Sequence, residues 1–251
     1  MSNSEDVPTV EMNEQLVLIG GYSATGKSAS LRNIENQEKW LYMNTESGKR
    51  LPFKNKFNSQ TITDPWQVPG YLDQCIENQD QIDGVIIDSL TFLMDMFESQ
   101  YVLGSANTMK AWGDFAQFFK TIMQDRVPKF KKPVLILAHF LDVYDEATLS
   151  MKTGVPIKGA LKNNGVEAYF STVVSTKKVS INELEKYKSD LLTVTDEDRE
   201  LGYKHVFQTR PTKNTIGERI RSPMGMFTKD QTYMDNDAQL LLKHLAEYYG
   251  N

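Results

Sequence analysis

The sequence has a single cysteine, Cys75, in 251 residues. That excludes an internal disulfide and any metal site built on several thiolates. No apolar run approaches the roughly 20 residues of a membrane-spanning helix. The first residues, Met1 to Asp6, are polar and acidic where a secretory leader needs an apolar core. The expectation is a soluble, cytoplasmic protein with no membrane partner. Internal repeats and low-complexity tracts are missing as well. Positive charge is not in excess: the net charge is −5 and the pI about 5.4, which argues against coating nucleic acid by bulk charge. Local distribution matters more than the total, because acidic residues crowd 183–200 while Lys and Arg recur in loops. What is present is an ordinary globular balance, 40% hydrophobic and 24% charged, enough for a sizeable core.

One stretch organises the rest. Leu16 to Ile19 is a short apolar run that reads as a buried strand and stops at two glycines. Gly21-Tyr22-Ser23-Ala24-Thr25-Gly26-Lys27-Ser28 then fits G-x-x-x-x-G-K-[ST], the Walker A pattern. Ala29 to Ile34 suits the first turns of a helix, so strand, loop and helix follow in the order the motif needs. Backbone N–H groups of such a loop, with the helix N-terminus behind them, hold a polyphosphate. Residues 21–29 are the candidate nucleotide cradle. Lys27 reaches the β- and γ-phosphates, and Ser28 ligates Mg²⁺, which makes ATP and Mg²⁺ the expected cofactors.

Further along, Lys39 to Asn44 reads as a second strand and Lys49 to Pro65 as loop. Gln67 to Asn78 reads as a helix, and Gly84 to Ser89 as an aliphatic strand ending in a carboxylate. Between Thr108 and Met123 the aromatic residues fall at helical spacing and belong to the core. Val134 to Ala138 is another buried strand, and 141–166 looks like a long functional loop. Tyr169 to Ser175 and His205 to Thr209 read as strands, Glu183 to Arg199 as a charged surface segment, and Ala238 to Tyr249 as a closing helix. Strands separated by helical segments predict an α/β fold with a mostly parallel central sheet flanked by helices. The organisation expected is a flexible N-terminal arm over 1–13 and one ATPase domain over 14–251.

Two carboxylates carry the chemistry. Asp88 ends an aliphatic strand well after the P-loop, the Walker B arrangement, and is assigned to the Mg²⁺ hydration shell. Glu46 stands just past the second strand, where a carboxylate can orient water in line with a γ-phosphate. The pattern alone leaves open a solvated loop residue.

These residues carry a resemblance. Asn44-Thr45-Glu46-Ser47-Gly48 resembles the strand-end segment of RecA-like recombinases, whose Glu activates the attacking water. Ile86-Ile87-Asp88-Ser89 is similar to their Walker B, and Ile136-Leu137-Ala138-His139 falls where they end a strand in a γ-phosphate sensor. Lys158-Gly159-Ala160-Leu161-Lys162 resembles the region closing their second DNA-binding loop. Arg210 to Ile216 resembles a late segment whose lysines reach the neighbouring subunit's ATP, with Thr215 where the second lysine stands. The match runs in order over about 15–225 and is closest to the short phage RecA-like single-strand-annealing proteins.

The resemblance implies a RecA-like P-loop NTPase core and a DNA-stimulated ATPase acting on single-stranded DNA in annealing or recombination. It implies self-assembly as a filament or ring, and a single-strand-binding protein as a possible further partner. His139 would sense the γ-phosphate, and Lys213, beside Arg219 and Arg221, would complete a neighbour's site. Two loops would meet DNA, about 97–112 with Lys110 and 141–166 with Lys152, Lys158, Lys162 and Asn163. Rival readings are a ring helicase motor or helicase loader of the same core, and a nucleotide-gated switch for protein partners.

Overall fold

β1 (Leu16–Gly21) is apolar at successive positions because the sheet buries it on both faces. Leu16 and Leu18 face one layer of the core while Val17 and Ile19 face the other, as strand pleating requires. The structure is a computed structural model and describes residues 13–146, 149–162 and 165–250. β1 pairs in parallel with β5 (Val134–His139) on one side and β8 (Thr172–Ser180) on the other. Beyond β5 lie β4 (Gly84–Asp88), β2 (Trp40–Asn44) and β3 (Asn58–Thr61), all parallel. Beyond β8 lie β9 (Tyr203–Gln208) and β10 (Tyr233–Asp235), both antiparallel. The eight-stranded sheet therefore has the order β10-β9-β8-β1-β5-β4-β2-β3. This is the expected α/β class with a mostly parallel central sheet.

Helices cover both faces. α1 (Gln67–Glu77), α2 (Leu90–Phe97) and α3 (Thr108–Lys120) pack Leu72, Leu93, Phe97, Phe115, Phe118 and Phe119 against one face. The aromatic stripe of α3 is core, as its spacing predicts, and each such ring contributes about 1.5–3 kcal/mol on burial. α6 (Ala238–Tyr249) lays Leu241, Leu242 and Leu245 on the other face. Short helices α4 (Ile181–Leu184) and α5 (Asp196–Leu201) sit in the acidic segment before β9.

Several local expectations are corrected. After the P-loop only a 3₁₀ helix forms, Ser28–Asn33, and Asn36 turns left-handed at φ 50°. Past Leu31 and Ile34 the residues are polar, so no apolar stripe holds further turns to the sheet. The 97–112 segment is mostly helix: π-helical Glu98–Val102 continues α2, and α3 begins at Thr108. Phe97 and Val102 are both buried, which anchors that turn. The 141–166 segment is a hairpin, β6 (Leu141–Asp145) with β7 (Ser150–Gly154), then a 3₁₀ turn at Gly159–Lys162. Within it Asn163 lies outside the described residues. The strand expected from Tyr169 starts at Thr172, because Val166–Tyr169 closes as a 3₁₀ turn. The loop expected at 49–65 contains β3, a short polar edge strand. Of the arm expected at 1–13, only Asn13 is described; its amide is buried and donates to the carbonyls of Phe130 (2.6 Å) and Lys132 (3.0 Å).

Gly20 sits where β1 passes under Phe140. A Cβ there would lie 2.0 Å from the ring, which is itself buried. Gly20→Ala is expected to lower stability by about 1–3 kcal/mol through overpacking, read as a fall in the urea midpoint.

Candidate active site

The parallel sheet aligns the ends of four strands, and the chemistry collects there. In register, Gly21 stands beside His139, Leu137 beside Asp88, and Asp88 beside Asn44. The Walker A loop, the Walker B carboxylate, the Glu46 turn and the end of β5 thus reach one edge. Between them lies a cleft of ≈ 300 Å³ lined by Gly26, Lys27, Ser28, Glu46, Asp88 and His139 among others.

The loop's shape depends on its glycines. Gly26 has φ +102°, and a Cβ there would lie 2.5 Å from Asn236 Nδ2. Around it the loop is braced by distant groups. Asn236 Nδ2 donates to the Gly26 carbonyl (2.9 Å), His205 Nδ1 to the Thr25 carbonyl (2.8 Å), and the Thr25 and Thr176 hydroxyls meet at 2.6 Å.

Lys27 lies buried in the loop, its Nζ donating to the Gly21 (3.0 Å) and Tyr22 (2.7 Å) carbonyls. Burial brings its ammonium down to about 8, against the pull of Asp88 and Glu46. Asp88 Oδ2 accepts from Ser28 Oγ and from the Tyr42 hydroxyl, both at 2.9 Å. Burial pushes this carboxyl up and the charge of Glu46 adds to it, while the two hydroxyl donors oppose. Tyr42 in turn is pushed well above the usual phenol range by burial and by Asp88.

Glu46 is held in a net of donors. Thr45 Oγ1 exchanges hydrogen bonds with Ser89 N and O (2.7 Å each), and Asn44 Oδ1 accepts from Glu46 N, which locks the turn. The carboxylate Oε1 meets His139 Nε2 and Ser89 Oγ at 3.3 Å, and Oε2 meets Lys49 Nζ at 3.0 Å. The His139 bond first, then Lys49, holds this carboxyl down to about 2, against burial. His139 is placed by its own backbone N–H, which donates to Thr91 Oγ1, and by the Phe92 ring edge-on at 5.7 Å.

A carboxyl depressed in the folded state stabilises the fold fully above its unfolded value near 4.5. That contribution is lost as pH falls through about 2. Glu46→Gln is therefore expected to flatten part of the acid limb of a stability–pH profile between these values, measured by urea unfolding.

The hydroxyl of Ser28 and the carboxylate of Asp88 converge as a divalent-ion site would need. Among the described residues no three His, Cys, Asp or Glu side chains form a self-sufficient metal cluster. An ion held by these two groups would have to take its remaining oxygens from phosphate and water, which Mg²⁺ accepts more readily than Zn²⁺.

The other expected residues are not gathered here. Lys213 stands in an exposed turn and does not line the cleft, and Arg219 pairs with buried Glu167 at 3.3 Å. Lys110 pairs with Asp114 (2.8 Å), Lys152 with Asp145, and Lys158 with Glu98 (2.6 Å). Lys162 is exposed at the end of its 3₁₀ turn. Sequence reasoning missed Tyr42, Lys49, Thr176, His205 and Asn236. No local pattern marks Tyr42, Thr176, His205 or Asn236, whose partners lie 46, 151, 180 and 210 residues away. The charge of Lys49, three residues from Glu46, is by contrast a local signal.

The family model described as AAA domain (AAA_24) matches residues 13–218. No curated protein matches the sequence. Among solved structures, the crystal structure of the RadB recombinase is similar at 15% identity, covering 67% of this chain and 76% of that chain, with a TM-score of 0.38.

Proposed function

The chain belongs to the AAA_24 family of AAA domains, and we propose that it is a Mg²⁺-dependent, RecA-like ATPase acting on single-stranded DNA in annealing or recombination. The order of its motifs, like that of the short phage annealing proteins, supports a role in phage replication. One observation carries the ATPase reading. The ionised carboxylate of Glu46 lines the same cleft as Lys27, Ser28, Asp88 and His139.

In this mechanism the loop amides and Lys27 bind the triphosphate, and Ser28 with Asp88 hold the ion. When bound there, Mg²⁺ would supply positive charge to the phosphates. Glu46 accepts a hydrogen bond from water and aligns it with the γ-phosphorus. The water oxygen forms a bond to phosphorus as the bond to the β–γ bridging oxygen breaks, giving ADP, phosphate and a proton. With a carboxyl near 2, Glu46 orients water more than it takes up its proton. To do so it must release at least one of the donors that now occupy its oxygens.

His139 couples this step to the hairpin that follows β5. A second link supports such coupling: the Tyr22 hydroxyl donates to Asp142 Oδ1 at 2.5 Å, and Thr153 Oγ1 donates to the same oxygen at 2.6 Å. P-loop and hairpin are thereby joined directly. Lys213 acts in trans on a neighbouring copy, so assembly as a filament or ring completes the site.

The test is ATP hydrolysis with and without single-stranded DNA over a range of protein concentrations. Stimulation by DNA, with a rate steeper than linear in protein, is expected. A flat, DNA-blind rate overturns the DNA and assembly parts of the reading.

A further inference from the structure

Past the end of β2 the chain turns back beside the phosphate cleft. Ser47 (φ 55°) and Gly48 (φ 76°) both take the left-handed conformation that so tight a reversal requires. One buried amide holds both ends of the turn. Asn44 Oδ1 accepts from Glu46 N at 2.9 Å, and Asn44 Nδ2 donates to the Lys49 carbonyl at 2.8 Å. Lys49 N closes the turn by donating to the Glu46 carbonyl at 3.1 Å. The backbone of Lys49 is therefore fixed, while its side chain is 70% exposed. The fold thus places an ammonium on a free stem at the cleft that Lys27, Asp88 and His139 also line.

That ammonium stands where the reaction needs water. It lies 3.0 Å from Glu46 Oε2, the oxygen left over once His139 Nε2 and Ser89 Oγ have taken Oε1. An aligned water needs one of these oxygens, so a donor must leave. The three donors differ in freedom. Ser89 is fully buried, and His139 is fixed by its backbone bond to Thr91 Oγ1 and by the Phe92 ring. Lys49 alone is mostly exposed, and an ion pair so open to solvent is weakly held.

A bound γ-phosphate offers the ammonium a stronger partner. It carries more negative charge than one carboxylate, and a lysine serves it as a point charge from any direction. Glu46 first, with a smaller pull from Asp88, holds the Lys49 ammonium above its ordinary value, against slight burial. It is charged, then, whenever a nucleotide arrives. Its field also reaches Lys27 and adds to the burial that pushes that group down. The two lysines therefore stand at the same end of the cleft.

We propose that Lys49 changes partner when ATP binds: its ammonium leaves Glu46 for the γ-phosphate, and Glu46 Oε2 is freed for the attacking water. The proposal rests on the ATPase reading above. It makes Lys49 a catalytic residue supplied in cis, separate from the trans role of Lys213. It also keeps Glu46 from water until a γ-phosphate is present, because ADP leaves the ion pair intact.

The experiment measures ATP and ADP affinity by calorimetry with Mg²⁺ on the full chain, together with kcat. Lys49→Met is made alone and in the Glu46→Gln background, and Lys49→Arg is made alone. The Glu46→Gln background isolates any direct contact with phosphate from mere neutralisation of Glu46. There, Lys49→Met is expected to weaken ATP about tenfold, the loss of one charge-assisted hydrogen bond, with ADP within about twofold. In the otherwise native chain Lys49→Met is expected to lower kcat about tenfold. Lys49→Arg is expected to keep the wild-type ratio of ATP to ADP affinity. An unchanged urea midpoint reports that each variant is folded.

ATP affinity unaffected by Lys49→Met in the Glu46→Gln background overturns the proposal, because the cation then acts only on Glu46. An equal loss of ATP and ADP overturns it too. So does a kcat that rises in Lys49→Met, the mark of a purely inhibitory pair. A wild type that binds neither nucleotide, or binds ATP without hydrolysing it, overturns the ATPase reading itself, and this role for Lys49 with it.

Discussion

Glu46→Gln is expected to lower kcat for ATP hydrolysis about 10²–10³-fold, the usual loss when one preorganised electrostatic group is removed, while ATP affinity changes only a few-fold. The reason lies in the geometry. Gln is isosteric, and its carbonyl can still accept from Ser89 Oγ and His139 Nε2 where Glu46 Oε1 now does, at 3.3 Å. What disappears is the second acceptor oxygen and the negative charge that together align water. The amide nitrogen also turns a donor toward Lys49 Nζ, now 3.0 Å from Glu46 Oε2, and that ion pair is lost. Steady-state hydrolysis and binding of a fluorescent ATP analogue separate the two effects. An unchanged kcat would remove Glu46 from the chemistry. Full DNA annealing by a variant that no longer hydrolyses ATP would make the nucleotide a switch whose turnover is incidental.

Lys27→Met is expected to reduce kcat about 10²–10³-fold, as loss of one preorganised charge on a transferring phosphoryl group does, and to weaken ATP binding as well. Its effect on the ligand-free protein has the opposite sign. The ammonium is buried, and burial holds its titration near 8, below the usual lysine range. The unfolded chain therefore binds more protons than the folded one between about 8 and 10.5. Stability then rises with pH across that window, because charging the buried group is costly below it. Methionine has similar length and no charge, so the variant is expected to lose this rise and to be no less stable than wild type at pH 7. Two carbonyls, Gly21 and Tyr22, lose their donor, which offsets part of the gain. Urea midpoints at pH 7, 8 and 10 for both proteins read the difference. A variant much less stable at pH 7 would mean that Lys27 chiefly holds the loop together.

Local chemistry explains which features were legible beforehand. The β1 run, the glycines and the Lys27-Ser28 pair occupy consecutive positions, and their conformational needs are set within the segment. A compact aliphatic run ending in Asp88 likewise announces a buried strand with a carboxylate at its edge. The stripe of α3 repeats at 3.6 residues and can only be a helix packed on one side. Where expectation failed, a tertiary contact had overruled local composition. Polar 141–166 reads as loop, yet its strands pair with each other and Thr153 bonds to Gly217 across 64 residues of chain. The segment around 97–112 has the polar residues of a loop, but Phe97 and Val102 plug the core and draw it into helix.

The same division runs through the site. Sequence alone determines that a P-loop precedes a Walker B strand, and that a carboxylate and a histidine end two further strands. Those are properties of short segments with strong local constraints. Only the tertiary structure decides that Glu46, 93 residues from His139, meets it at 3.3 Å, or that Tyr42 donates to Asp88. It alone brings His205 to the Thr25 carbonyl across 180 residues. Strand order in the sheet sets these distances, and strand order arises from long-range packing of faces that are locally almost indistinguishable.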